Sequence, residues 1–163
     1  MEPLAPTVKT VTLESRGPQQ TRRLGQRLAR ALRPGDVLLL SGPLGSGKTV
    51  LVQGLARALG IREGVSSKSF VLLGEYRGRI KLYHADLYRL EGPAEAQDLG
   101  LDEYCGDGVL AVEWPERAWR ALPQDALLIS LEITGERTRR ITLKATGPRS
   151  AELLASLEGR GWS

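Results

Sequence analysis

Apolar positions change period several times along this chain, and each change marks an element. Residues 9–13 alternate, with Val11 and Leu13 on one side, and predict a strand. Over residues 19–33 the spacing turns helical. Leu24, Leu28, Ala31 and Leu32 make an apolar stripe, while Arg22, Arg23, Arg27, Arg30 and Arg33 fall mostly off it. Pro34 and Gly35 break the chain, and Asp36, Val37, Leu38, Leu39 and Leu40 follow as a short apolar run, the pattern of a buried strand. Helical spacing returns over residues 50–59, where Leu51, Leu55 and Leu59 share a face and Gly60 supplies a stop.

A polar loop occupies residues 63–69. Residues 70–76 and 80–85 predict two strands joined by a turn at Arg77, Gly78 and Arg79. After the break at Gly92 and Pro93, short helices are predicted at residues 94–99 and around 102–104. Residues 108–113 form another apolar run that ends in Glu113. Residues 126–133 and 139–145 alternate around Thr134, Gly135 and Glu136 and predict a hairpin, followed by a helix over residues 150–157. Strands interleaved with helices predict an α/β fold, a mixed β-sheet flanked by helices, in a single domain over residues 1–163 with a core at about 8–146.

Composition narrows this picture. At 163 residues, the chain suffices for one sizeable core, and its 41% hydrophobic and 26% charged content is that of a soluble globular protein. No apolar run reaches membrane-spanning length, and Met1 to Leu4 lack the plan of a secretory signal. A lone Cys105 allows no internal disulfide; together these predict a cytoplasmic protein with no membrane partner. The formal net charge of +4 permits an anionic partner without identifying one, and the arginines of the first helix read as a solvated face. The absence of Asn and the single Met hint at a thermophile or a biased genome.

The chemistry sits between the first buried strand and its helix. Gly42, Pro43, Leu44, Gly45, Ser46, Gly47, Lys48 and Thr49 fulfil G-x-x-x-x-G-K-[ST], a phosphate loop. Glycines at the ends let the backbone turn and approach phosphate oxygens, and consecutive N–H groups form an anion nest at a helix N-terminus. Lys48 would reach the β- and γ-phosphates, and Thr49 would offer its hydroxyl to Mg²⁺. Candidate nucleotide contacts are therefore Gly42, Leu44, Gly45, Ser46, Gly47, Lys48, Thr49 and Val50. Such a site also needs a carboxylate at the end of a neighbouring strand. Asp86, after Lys81-Leu82-Tyr83-His84-Ala85, and Glu113, after the strongly apolar residues 108–112, are the candidates for metal association and water positioning. His84, the only histidine, would fix Asp86 or meet a partner. Arg89 is either a phosphate-stabilising arginine or an ion-pair partner. Ser66, Ser67 and Ser69 form a candidate γ-phosphate-sensing loop.

Several strings taken together resemble the TsaE (YjeE) family, small bacterial ATPases needed for threonylcarbamoyladenosine in tRNA. The resemblance runs from about Thr21 to Arg149. Leu24-Gly25, Leu28-Ala29, Gly35-Asp36, the phosphate loop and Gln53-Gly54-Leu55-Ala56 appear in family order. His84-Ala85-Asp86-Leu87-Tyr88-Arg89 is the most diagnostic, joined by Leu99-Gly100-Leu101 and Glu113-Trp114. The resemblance implies a P-loop NTPase domain using ATP and Mg²⁺. Thr49, Glu113, Asp86 and Ser69 would stand on the metal side, Asp86 and Glu113 would serve hydrolysis, and Trp114 would lie near the nucleotide. It further implies action on TsaD and TsaB, with tRNA reached indirectly through that complex. One departure is clear: the family's S-P-T-[FY] reads Ser67-Lys68-Ser69-Phe70, which keeps a hydroxyl but replaces a rigid turn with a cation.

Three other functions compete. A small-molecule kinase would need an arginine-bearing lid, for which Arg77-Gly78-Arg79 is too short. A GTP switch would need N-K-x-D, and the chain has no Asn. Direct RNA binding would rest on scattered arginines and a steep salt dependence.

Overall fold

The structure, a computed structural model, describes residues 9–65 and 73–158. Seven strands form one mixed sheet: β1 (Thr10–Ser15), β2 (Val37–Ser41), β3 (Leu73–Tyr76), β4 (Lys81–Asp86), β5 (Gly108–Glu113), β6 (Leu127–Ile133) and β7 (Arg139–Ala145). Their spatial order is β1-β7-β6-β2-β5-β4-β3. The inner pairs β6–β2, β2–β5 and β5–β4 are parallel, and antiparallel pairs close both flanks. Central strands covered on both faces need continuous apolar sequence, which is why Val37 to Leu40 and all of β5 are buried.

The helices are α1 (Pro18–Ala31), α2 (Lys48–Ala58), α3 (Pro93–Leu99) and α4 (Pro148–Glu158). Strand alternation divides the core in two. Leu38, Leu40, Val109, Ala111, Ile129 and Leu131 face α1, α2 and α4. Val37, Leu39, Leu110 and Val112 face the opposite layer, built by Ala96 of α3, Leu101, Ala118 and Leu122 among short 3-10 turns.

The expected elements all appear within a few residues, with instructive shifts. Helix α2 starts at Lys48, inside the phosphate-loop motif rather than after it. Helix α1 stops at Ala31, two residues early: Leu32 is already extended ahead of Pro34, and Arg149 donates to the Ala31 carbonyl at 2.8 Å. Arg149 also forks onto Asp36, with Nε to Oδ1 at 2.7 Å and Nη2 to Oδ2 at 2.9 Å. One guanidinium thus clips the end of α1, the entry to β2 and the start of α4. The first turn of α4 is anchored from a distance. Asp125 accepts hydrogen bonds from the backbone N–H of Arg149 at 2.8 Å and of Ser150 at 2.9 Å. The strand expected at residues 70–76 is seen as Leu73–Tyr76; its earlier residues lie outside the described ones.

Candidate nucleotide site

The loop from Gly42 to Gly47 joins β2, at the centre of the sheet, to α2. It is shaped by backbone that side-chain-bearing residues resist: φ is 149° at Gly42, 81° at Gly45 and 107° at Gly47. Space also selects Gly42, because a Cβ there would come within 2.6 Å of the Leu131 carbonyl oxygen and 2.7 Å of Ser46 Oγ. Ser46 N donates to the Pro43 carbonyl at 3.1 Å, and Leu51 N to the Gly47 carbonyl at 2.9 Å as α2 begins. Ser46 Oγ is fully buried and has no hydrogen-bond partner. Leu44, by contrast, is exposed at the loop apex.

Lys48 is buried at the first position of α2, and its ammonium donates to the carbonyls of Gly42 and Pro43. It also lies 4.3 Å from the centre of the Trp114 ring, a cation–π distance. Burial pushes its pKa below the ordinary lysine value, while Glu113, Asp86 and Glu116 pull the other way. A buried ammonium whose hydrogen bonds go to neutral loop carbonyls has a strong reason to accept an anion.

Period-two alternation places the acidic residues. Glu113 follows Val109 and Ala111 on the α2 side of the sheet, so it meets the N-terminus of α2. Thr49 Oγ1 donates to Glu113, at 3.1 Å from Oε1 and 3.2 Å from Oε2. On the neighbouring strand His84 and Asp86 share that face, and Asp86 is the register partner of Glu113. The His84 expectation needs correction. His84 Nε2 lies 2.6 Å from Glu113 Oε2, and both side chains are buried, so it fixes Glu113 rather than Asp86. The register explains this: His84 pairs with Ala111, leaving its ring free to lean one step along the strand. Asp86 instead accepts the Tyr88 backbone N–H at 3.1 Å.

Strand ends are laced together by backbone, Leu87 N to the Glu113 carbonyl at 3.0 Å and Trp114 N to the Leu40 carbonyl at 3.2 Å. Trp114 carries φ of 59°, the sole non-glycine residue with positive φ among those described. Such a conformation is uncommon and tends to mark functional turns. It brings the indole against both Lys48 and Tyr88, the two aromatic ring centres lying 4.9 Å apart. Tyr88 was present in the diagnostic string but not among the candidate site residues. Arg139 gave no sequence signal at all: from the β6–β7 hairpin its Nη2 donates to the Gly45 carbonyl at 3.0 Å. Ser69, with the rest of residues 66–72 including Ser66, Ser67 and Lys68, lies outside the described residues. Among the described residues no group of three or more His, Cys, Asp or Glu side chains could enclose a metal ion.

A glycine-rich loop between a central parallel strand and a helix, backed by a carboxylate from the adjacent strand, defines a P-loop NTPase-type fold. Comparison with known proteins narrows the class. The family model for "Threonylcarbamoyl adenosine biosynthesis protein TsaE" matches residues 15–141. The tRNA threonylcarbamoyladenosine biosynthesis protein TsaE of Bacillus subtilis is 43% identical over 142 residues, covering 86% of this chain and 89% of that protein. Its counterpart in Treponema pallidum is 43% identical over 130 residues, covering 79% and 96%. The crystal structure of Bacillus subtilis YdiB superposes with a TM-score of 0.81 at 36% identity, covering 95% of this chain and 98% of that one. The chain belongs to the TsaE family. No helix among the described residues is long and apolar enough to cross a membrane.

Proposed function

We propose that the chain binds ATP with Mg²⁺ in the cytoplasm and hydrolyses it as an assembly or reset factor for the TsaB–TsaD complex. Its pathway is tRNA N6-threonylcarbamoyladenosine modification. The observation that carries this reading is the Lys48, Thr49 and Glu113 constellation at the N-terminus of α2, in a chain of this family.

The residues fit the proposed ligands. The orphaned Ser46 hydroxyl and the buried Lys48 ammonium are both groups that an incoming phosphate would satisfy. Gly42, Leu44, Gly45, Ser46, Gly47 and Val50 contribute backbone around the phosphates, and Trp114 flanks Lys48. Thr49 with Glu113 and Asp86 is an oxygen donor set of the kind Mg²⁺ takes alongside phosphate and water, rather than an all-protein cage. Ser69 belongs to the same metal-side set in this reading. When bound, Mg²⁺ supplies charge neutralisation across the phosphate oxygens. Lys48, now on loop carbonyls, would hold phosphate oxygens, and Thr49, whose hydroxyl now meets Glu113, would help to hold the metal. Glu113, held by His84, and Asp86 then orient the attacking water. An enzyme that waits for a partner hydrolyses slowly alone and faster with TsaB–TsaD.

The test is reconstituted tRNA modification with TsaB, TsaD and the threonylcarbamoyl-adenylate synthase, following modified nucleoside over many turnovers. Dependence on this chain and on ATP, lost in Lys48→Ala, is the expected result. Modification that proceeds equally without the chain overturns the reading and brings forward phosphate transfer to a small molecule, the kinase alternative.

A further inference from the structure

At the other end of α2 lies a cleft of about 650 Å³ that the nucleotide reading does not use. It runs between α1, α2 and the residues that follow α2. Arg22 and Gln26 line it from α1, Gln53 and Arg57 from α2, and Arg62 and Glu63 from the loop. Arg57 sits in the last turn of α2 and Lys48 in the first. A rise of about 1.5 Å per residue separates cleft and phosphate loop by roughly 14 Å, so the two are distinct sites.

Among the described residues, three arginines meet on this one wall without a carboxylate partner, whereas some others on the protein are paired. Arg16, Arg140 and Arg149 each pair with a carboxylate. Among the described residues Arg22, Arg57 and Arg62 form no ion pair, and Glu63 is the single acidic side chain on the cleft wall. The negative end of α2 does not compete for them. Its last carbonyls are taken by the backbone, with Ile61 N on Ala56 O at 3.0 Å and Gly60 N on Arg57 O at 3.1 Å. The wall is held in place, because Gln53 Nε2 donates to the Val65 carbonyl at 3.0 Å. A Cβ added at Gly60 or Gly64 would meet nothing within 4 Å, so backbone at the rim stays open to close approach.

We propose that this cleft binds the phosphodiester backbone of RNA. Three unpaired guanidinium groups select phosphate, which they grip by paired N–H donors. Among the described residues no aromatic side chain lines the cleft, so its described wall offers no platform for stacking a base. Contact with phosphates alone gives affinity and register without sequence preference. The choice of RNA over another polyanion rests on the family's place in a tRNA pathway. The chain thereby contacts its RNA directly, beyond any link through a protein complex.

The experiment is fluorescence anisotropy of labelled unmodified tRNA with the full chain, titrated across salt. Arg22→Ala/Arg57→Ala/Arg62→Ala is compared with Arg16→Ala/Arg120→Ala/Arg140→Ala, which removes equal charge elsewhere. The first variant is expected to lose affinity by about tenfold or more at roughly 0.1 M salt and to flatten the log–log salt slope by about 3, one per phosphate contact. The second retains most binding. Both keep ATP binding, so failure here is separable from failure of the ATPase reading. Equal loss in both variants, no loss in the first, or displacement of tRNA by polyaspartate as readily as by unlabelled RNA overturns the proposal. Displacement by inorganic phosphate at matched ionic strength, with no preference for RNA, assigns the cleft to free phosphate and overturns it too.

Discussion

Gly25 and Gly54 form a reciprocal notch where α1 crosses α2, and filling it should loosen both the fold and the phosphate loop. A Cβ on Gly25 would stand 2.1 Å from the Leu51 carbonyl oxygen and 2.7 Å from Leu55 N. A Cβ on Gly54 would stand 2.2 Å from the Arg22 carbonyl oxygen. Ordinary contact needs about 3.5 Å, so either alanine forces the helices apart by roughly 1 Å. The obstacles are backbone atoms, which cannot swing to another rotamer. Overpacking therefore costs toward the top of its usual range, about 3 kcal/mol. Helix propensity returns about 1 kcal/mol for replacing glycine by alanine. The net loss for Gly25→Ala is about 2 kcal/mol, or a Tm lower by about 4–8 °C for a chain of this size. Because α2 begins with Lys48 and Thr49, the same shift should weaken nucleotide binding. Thermal unfolding followed by circular dichroism, with ATP affinity measured on the folded fraction, checks both effects. A variant as stable as the parent, or more so, would show that propensity outweighs the clash and refute the reasoning.

Two further predictions concern carboxylates. His84→Ala leaves the buried Glu113 short of a partner and is expected to lower the single-turnover hydrolysis rate while leaving ATP affinity within about threefold; His84→Gln, which restores a donor, recovers much of it. Equal rates in parent and alanine variant would remove His84 from the positioning of Glu113. Burial alone would raise the Asp125 pKa, but hydrogen bonds from Ser150 and from the Arg149 backbone outweigh it and hold it below the ordinary value. Its stabilisation is therefore fully present above the unfolded-state value of about 3.9 and disappears as pH falls through the lower folded-state value. Asp125→Asn should cost about 1 kcal/mol at neutral pH, and urea unfolding at successive pH values should show the gap closing below about pH 4. A gap that is constant down to pH 2 contradicts the assignment.

Local chemistry explains what could be seen in the sequence. The phosphate loop, its strand and its helix are contiguous, and Glu113 announced itself by ending an apolar run. Contacts that depend on sheet order were hidden. Strands β4 and β5 are separated by a helix and a 3-10 turn, so only their parallel register reveals that His84 reaches Glu113 and not the closer Asp86. Arg139 belongs to a distant hairpin, and one strand pairing decides that it touches Gly45. The Asp36–Arg149 pair joins residues from opposite ends of the chain, and no periodicity encodes such a meeting.

That pair also bears on how much of the chain can be discarded. The family match stops at residue 141, which invites trimming there, yet Arg149 lies past that point. A chain cut at the family boundary would leave Asp36 buried and without its cation, uncap the Ala31 carbonyl and strip Leu153 and Leu154 from the core. The last helix is thus a keystone rather than a tail: it pins the end of α1 and the entry to β2 that leads into the phosphate loop.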